Sequence, residues 1–218
     1  MRTRPLSNAL ASAVTLLLLL AGAVAGAESA KLLKDTPFEE IVAKAKAGNP
    51  DCQIYMAKSY QLGSGGVPRD RKESHRWFVA AATNNVMEAL FYMGDHFYNE
   101  ASTIKGMSAP DKAKRQQAGT AALNWYMKAA KRGSVDAYAN LGAGFEAGNV
   151  YAKDLVEAYK WFHLAVETDD HRYARARLVS SRNSLSLRLN PAQIDEAKRR
   201  ALMFLETHAQ ETNPRATQ

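Results

Sequence analysis

Three stretches of the sequence decide the fold: WFVAAA at 77–82, WYMKAA at 125–130 and WFHLAV at 161–166. In each stretch a Trp and a second aromatic residue are followed by small or aliphatic residues at helical spacing, which predicts a helix with an aromatic face. Eight positions after the three Trp residues come Asn85, Gly133 and Asp169. This fixed spacing indicates an array of helix pairs, in which each copy is stable only by packing on its neighbours.

The first 27 residues have the composition of a secretory signal peptide. Arg2 and Arg4 supply positive charge, residues 14–24 are apolar, and residues 25–27 read Ala-Gly-Ala, a small-residue cleavage motif. The apolar stretch is shorter than the ~20 residues of a stable membrane-spanning helix. We therefore expect cleavage after Ala27 and a periplasmic or secreted mature chain, with an uncleaved anchor as the alternative.

The rest of the chain divides by the same pattern into four parts. We predict an N-terminal capping helix at 28–48, three helix-pair repeats at 49–170, a degenerate repeat with a capping helix at 171–208, and a tail at 209–218.

The second repeat carries an insert at about 101–119. Its first half, 101–109, predicts a loop, and its second half, from Pro110, predicts an extension of the following helix. Insertions in repeat arrays map to loops on one face and can add binding surface, although a tolerated surface loop is the alternative.

Positive charge is concentrated at the C-terminal end. Residues 28–170 contain 18 Lys or Arg and 18 Asp or Glu, whereas residues 171–218 contain nine and four. This segment predicts contact with an acidic protein or with the anionic membrane surface, and a merely solvated face is the alternative. Nucleic acid is disfavoured by the signal peptide and by the absence of a recognised binding motif.

The complete repeat pattern is Ala-x3-Leu-Gly-x2-aromatic-x2-Gly in the first helix and Asp-x3-Ala-x2-Trp-aromatic-x2-Ala in the second. It is clearest in the third copy, at Ala137, Leu141, Gly142 and Trp161. This pattern resembles the Sel1-like repeat, a relative of the tetratricopeptide repeat. The resemblance implies an all-α fold, a right-handed α/α superhelical solenoid of stacked helix pairs.

In the tetratricopeptide relatives, the first helix of each pair lines the concave side of the superhelix. The resemblance therefore places candidate partner contacts on that surface, in the register given by the Leu-Gly-x2-aromatic core. These contacts are Lys58, Gln61, Phe91, Asp95, Tyr98, Asn99, Glu146, Arg175 and Arg182. Aromatic and Arg side chains dominate interface energetics, but Phe91 can equally pack between repeats.

No catalytic or metal-binding motif accompanies this surface, so we expect no enzyme activity, cofactor or metal. A single cysteine, Cys52, allows no intramolecular disulfide and falls at a small buried position of the repeat. By resemblance, the chain is a non-catalytic adaptor or regulator of an envelope protein. The alternatives are an immunity protein that neutralises a secreted toxic effector, such as a phospholipase, and a cell-envelope hydrolase that uses Cys52 with a histidine.

Overall fold

The computed structural model describes residues 36–169 and 172–212. The predicted signal peptide, residues 28–35 and residues 213–218 of the predicted tail lie outside these residues. Two compact units are present, one ending at Asn84 and one beginning at Asn85. The described part of the first unit contains α1 (Phe38–Lys46), α2 (Pro50–Leu62) and α3 (Arg71–Thr83). That of the second contains α4 (Met87–Thr103), α5 (Ala109–Lys131), α6 (Val135–Ala147), α7 (Leu155–Thr168), α8 (Arg172–Ser186) and α9 (Pro191–Thr212).

In the first unit, α2 packs against both α1 and α3. Its core contains Ile41, Ala45, Cys52 and Met56, with the partly buried ring of Trp77 against them. Cys52 is only 1% exposed, which confirms its prediction as a small buried residue.

The Asp of the repeat pattern caps the second helix of the pair in the first and third repeats. Oδ1 of Asp154 accepts hydrogen bonds from the backbone N–H groups of Val156 and Glu157, at 3.0 and 2.9 Å. Asp70 does the same at the start of α3. These bonds satisfy N–H groups that have no partner within the helix, so the Asp of the motif is an N-cap.

The second unit is built from two helix pairs, α4 with α5 and α6 with α7. Each pair approaches closely because the Gly of the Leu-Gly motif faces the second aromatic residue of the Trp-aromatic stripe. A Cβ at Gly94 would lie 2.4 Å from the ring of Tyr126, and one at Gly142 would lie 3.0 Å from the ring of Phe162. The motif glycine therefore makes room for an aromatic ring between the two helices.

Helices α8 and α9 both pack on α7. Trp161 of α7 is fully buried, with its ring 4.9 Å from that of Phe204 in α9 and 5.8 Å from that of Tyr138 in α6. The last helix therefore covers the aromatic face of the third repeat, as a capping helix should. It runs to Thr212, past residue 209, where we expected the tail to begin.

The insert of the second repeat contains less loop than we predicted. Helix α4 continues to Thr103, so the connection to α5 comprises only residues 104–108. The reason is that Ala101, which we placed in the loop, is fully buried. The predicted extension of the following helix is confirmed, since α5 begins at Ala109, with the Ser108 hydroxyl accepting from the Asp111 N–H.

Within the described part of the chain, no helix combines the length and the apolar character needed to cross a membrane.

Candidate functional site

A cleft of about 250 Å³ opens in the second unit where α4 meets α6. We call it the Asp95 cleft. Helix α4 contributes three side chains, α5 one and α6 two. The lining residues are Asp95, Tyr98, Asn99, Tyr126, Asn140 and Ala143.

A hydrogen-bonded triad joins the three helices at this cleft. The Tyr126 hydroxyl donates to Oδ1 of Asp95. The Asn140 side-chain amide donates to the same oxygen at 2.8 Å and to the Tyr126 hydroxyl oxygen at 3.0 Å. An ionised carboxylate only accepts, which orients the Asn140 amide with its NH₂ group toward Asp95. The triad therefore holds one side chain from each of α4, α5 and α6 in a fixed relation.

Tyr126 is the buried member of the triad. Only 1% of the residue is exposed, and its ring occupies the space that Gly94 leaves free. Burial is the main cause that raises the pKa of Tyr126 far above its ordinary value, and the hydrogen bond to Asp95 raises it further. The hydroxyl therefore keeps its proton and acts as a donor.

Aromatic rings form one side of the cleft. The ring of Tyr98 lies 6.4 Å from that of Tyr126 and 5.9 Å from that of Tyr151, between ring centroids. The Tyr98 hydroxyl donates to Oδ1 of Asn149 at 3.3 Å. These contacts position the Tyr98 ring at the cleft.

The carboxylate of the cleft, Asp95, is partly removed from solvent and lies under the influence of a second carboxylate. Burial raises the pKa of the Asp95 carboxyl, hydrogen bonds from Tyr126 and Asn140 oppose that increase, and the charge of Asp136 on α6 adds to it. Burial that disfavours the charged form indicates a carboxylate that lacks full solvation.

This shift predicts a pH dependence of stability. Because the folded pKa of Asp95 is raised, the folded state binds more protons than the unfolded state between the ordinary pKa, near 3.8, and the raised value. Stability should therefore fall as pH rises through that window and level off above it. Urea unfolding at a series of pH values should show this fall in the free energy of unfolding for the parent protein. The Asp95→Asn variant should not show it. An unchanged pH profile in that variant would contradict the prediction.

Four of the predicted contacts lie at or beside the cleft. Asp95, Tyr98 and Asn99 line it. Phe91 is half-buried, with its ring 5.9 Å from that of Tyr126. The Phe91 ring therefore packs beside Tyr126 within the second repeat, which differs from the packing between repeats that we considered as its alternative.

Three other predicted contacts of the second unit make interactions within the chain. The Arg188 guanidinium pairs with the Glu146 carboxylate. The Arg182 guanidinium lies 3.4 Å from the Glu167 carboxylate. The remaining predicted contacts, Lys58 and Gln61, are exposed on α2 in the first unit.

Arg175 is the third predicted contact of the second unit that interacts within the chain. Its guanidinium donates from Nη1 to the backbone carbonyl of Asp169 at 2.8 Å. That carbonyl follows the end of α7, so the guanidinium satisfies a group at the helix C-terminus.

The predicted contacts did not include three of the lining residues, Tyr126, Asn140 and Ala143. A signal for Tyr126 was present in the repeat pattern. The residue after the stripe Trp is Phe78 in the first copy and Phe162 in the third, but Tyr126 in the second. A hydroxyl added at one buried repeat position requires a local polar partner, which Asp95 and Asn140 provide.

No group of three or more His, Cys, Asp and Glu residues with the arrangement of a metal site occurs within 36–169 and 172–212. Lys160 of the second unit is a buried cation. Its ammonium pairs with Glu157 and lies 3.9 Å from the centre of the Trp161 ring. Burial lowers its pKa, and Glu157 opposes that decrease. Both contacts lie within α7, and the same ammonium is 5.7 Å from the centre of the Phe204 ring in α9. None of these groups lines the Asp95 cleft.

Comparison with known proteins identifies the repeat. The sequence model of the Sel1 repeat matches residues 50–86, 88–134 and 135–170. Among solved structures, the chain is similar to a Sel1 repeat protein from Oxalobacter formigenes, with 25% identity and a TM-score of 0.50 over 65% of this chain and 96% of that one. It is also similar to c5321, a protective antigen of uropathogenic Escherichia coli with an SLR fold, with 21% identity and a TM-score of 0.48. That match covers 82% of this chain and 42% of that protein.

The three matched stretches account for more than half of the 218 residues. The predicted resemblance is therefore confirmed, and so is the predicted fold class, an all-α solenoid of helix pairs. Sel1 repeats generally mediate protein–protein interaction and generally act without catalysis. The chain belongs to the Sel1 repeat family.

Proposed function

We propose that this chain is a non-catalytic protein-binding module of the bacterial envelope, an adaptor or regulator that holds its partner at the Asp95 cleft. The observation that carries the proposal is the cleft itself. It lies between the first helices of two successive repeats, and its polar groups are held in place before any partner arrives.

Preorganisation is the physical basis of the proposal. Ordering a side chain at an interface costs about 0.5–1.5 kcal/mol. Asp95, Tyr126 and Asn140 are already ordered by their mutual hydrogen bonds. Most of that cost is therefore absent when a partner binds. Tyr98 adds an aromatic surface of the kind that is enriched among the residues dominating interface energetics.

The envelope location rests on the N-terminal segment. Arg2, Arg4 and the apolar residues 14–24 before the small residues 25–27 favour export. A periplasmic or secreted chain meets envelope proteins and incoming secreted proteins, so its partner is sought in those two pools.

The proposal predicts that partner capture depends on the cleft. The full-length chain, expressed in an exporting bacterial host with a C-terminal tag, should capture one envelope protein in preference to others. The double variant Tyr98→Ala/Asn99→Ala should lose at least about tenfold of that capture, since interface aromatic residues contribute about 2 kcal/mol or more. The control is Asn124→Ala, because Asn124 is exposed like Asn99 but lies on α5 outside the cleft.

Circular dichroism should show that all variants remain helical. Equal capture by the parent, the double variant and the control would contradict binding at the cleft. If the only captured protein is a toxic effector added from another cell, and the chain protects cells that make it, the module is an immunity protein rather than a resident adaptor. Binding at the cleft is supported if a partner is captured by the parent and by the Asn124→Ala control but not by the double variant.

A further inference from the structure

We propose that the Asp95 cleft receives a cationic side chain, an arginine or lysine presented by the protein partner. This inference deepens the proposed function and rests on it. It is carried by the balance of donors and acceptors in the cleft, by the aromatic ring beside them and by the sign of the local charge.

The polar side chains of the triad use their donors on one another. The Tyr126 hydroxyl gives its proton to Asp95, and the two N–H groups of Asn140 go to Asp95 and to the Tyr126 oxygen. The Tyr98 hydroxyl gives its proton to Asn149. What remains on the triad is acceptor capacity, because no residue of 36–169 or 172–212 donates to Oδ2 of Asp95 or to Oδ1 of Asn140. The triad therefore offers these acceptors to a ligand that donates hydrogen bonds.

The charge at the cleft selects a positive donor over a neutral one. Asp95 itself is acidic, and so is Asp136 on α6, whose charge acts on it. Glu146, the next acidic group along α6, is paired with Arg188. An anionic ligand would face the two like charges of Asp95 and Asp136. A cation would instead supply the countercharge that the half-buried carboxylate lacks.

The wall of the cleft fits the same ligand. Cations bind favourably against the faces of aromatic rings, with about 0.5–2 kcal/mol of attraction. Tyr98 is half-exposed and lines the cleft beside Asp95. Ala143 lines the α6 side with a side chain of only one carbon, which leaves space for the alkyl stem of an incoming Arg or Lys. A guanidinium group can donate to a carboxylate and lie against a ring at once.

The test uses a small probe, so that it does not depend on knowing the partner. The probes are Nα-acetyl-argininamide, the corresponding lysine compound and Nα-acetyl-citrullinamide, which has nearly the shape of the arginine compound but no charge. The full-length chain, labelled with ¹⁵N, is titrated with each probe. We expect saturable shifts at the amides of residues 95–99 and 140–143 with the arginine and lysine probes. Citrulline should bind about tenfold more weakly, because it lacks the charge-assisted hydrogen bond and the cation–ring attraction.

Asp95→Asn keeps an oxygen for Tyr126 and Asn140 but removes the charge, so it should weaken the arginine probe about tenfold. Glu206→Gln, an equal change at an exposed position on α9, should leave the affinity unchanged. A second variant, Ala143→Leu, leaves the triad intact and narrows the cleft, and it should reduce binding of the same probe.

Equal binding of the arginine and citrulline probes, or an arginine affinity unchanged in Asp95→Asn, would overturn the inference. The proposed function is judged separately. If Ala143→Leu loses partner capture while Asp95→Asn retains it, a protein still binds at the cleft, and the claim of a cationic side chain is wrong. If neither variant affects capture although the cationic probes still bind, the cleft binds free cations but not a side chain of the partner, and both the inference and binding of the partner at the cleft are wrong.

Discussion

Replacing Trp161 with Ala is expected to lower the free energy of unfolding by about 3–5 kcal/mol, as for other fully buried aromatic residues. Trp161 is fully buried between Tyr138 and Phe204, so its removal leaves a cavity among α6, α7 and α9. Its indole N–H has no hydrogen-bond partner among the described residues, so this cost is one of packing. Urea unfolding followed by circular dichroism measures it.

The other repeats provide matched controls. Trp125 begins the equivalent stripe of the second copy but is only half-buried, with the Lys128 ammonium 4.1 Å from the centre of its ring. Trp125→Ala should therefore cost less than Trp161→Ala. Trp161→Phe should recover most of the loss, because it restores part of the volume and gives up no hydrogen bond. An equal cost at Trp125 and Trp161 would contradict the role of α9 in burying the last stripe.

Gly94→Ala is expected to destabilise the chain by about 1–3 kcal/mol, the usual cost of overpacking a core. The new Cβ would lie 2.4 and 2.6 Å from two ring carbons of Tyr126, so the ring must move and the triad with Asp95 and Asn140 is disturbed. In an open helix the same change would stabilise by up to about 1 kcal/mol through helix propensity. The clash is the larger effect, and chemical unfolding should show a net loss.

The cause of the destabilisation by Gly94→Ala can be tested by removing the Tyr126 ring. In a Tyr126→Ala background the ring is absent, so adding Gly94→Ala should be neutral or stabilising. Gly142→Ala is a graded comparison, because its nearest ring atoms are 3.0 Å away and the strain is smaller. If Gly94→Ala costs the same with and without the Tyr126 ring, contact with the ring is not its cause.

The fold could be predicted because its main determinants are local and recur. The Trp-aromatic stripe marks the second helix of each pair. In the first helix, the glycine three residues before the aromatic residue marks the point where the two helices approach each other. Gly94 and Gly142 both face the ring that the pattern places opposite them. The loop of the insert was predicted less well, because the burial of Ala101 depends on tertiary packing and leaves no local signal.

The candidate site could be predicted only in part, for a related reason. Register along α4 placed Asp95, Tyr98 and Asn99 on one face, and the structure finds all three at the cleft. Register does not say which polar side chains from other helices meet them. Tyr126 belongs by pattern to the buried stripe, and only its hydroxyl, absent at Phe78 and Phe162, connects it to Asp95.

The basic C-terminal segment illustrates the same limit. Its positive charge is plain in the sequence, and it was predicted to meet an acidic partner or membrane. In the structure, Arg182 and Arg188 reach Glu167 and Glu146, and Arg200 lies within 3.5 Å of Glu157. Exposed pairs of this kind contribute about 0–1 kcal/mol each. They give the segment an internal role, while its contact with any partner stays a prediction.

The measurement that tests the central claim most directly is site-specific photo-crosslinking in living cells. A photoreactive amino acid replaces Ala147 in one variant and Asn124 in another, both exposed positions of the second unit. Ala147 lies one turn beyond Ala143 on α6, beside the cleft but outside its lining, whereas Asn124 precedes Tyr126 by two residues on α5 and so points about 200° away from it around the helix. Binding at the Asp95 cleft predicts a discrete protein adduct from position 147 that is absent from position 124. An adduct from position 124 alone, in cells where both variants are helical and equally abundant, would contradict it.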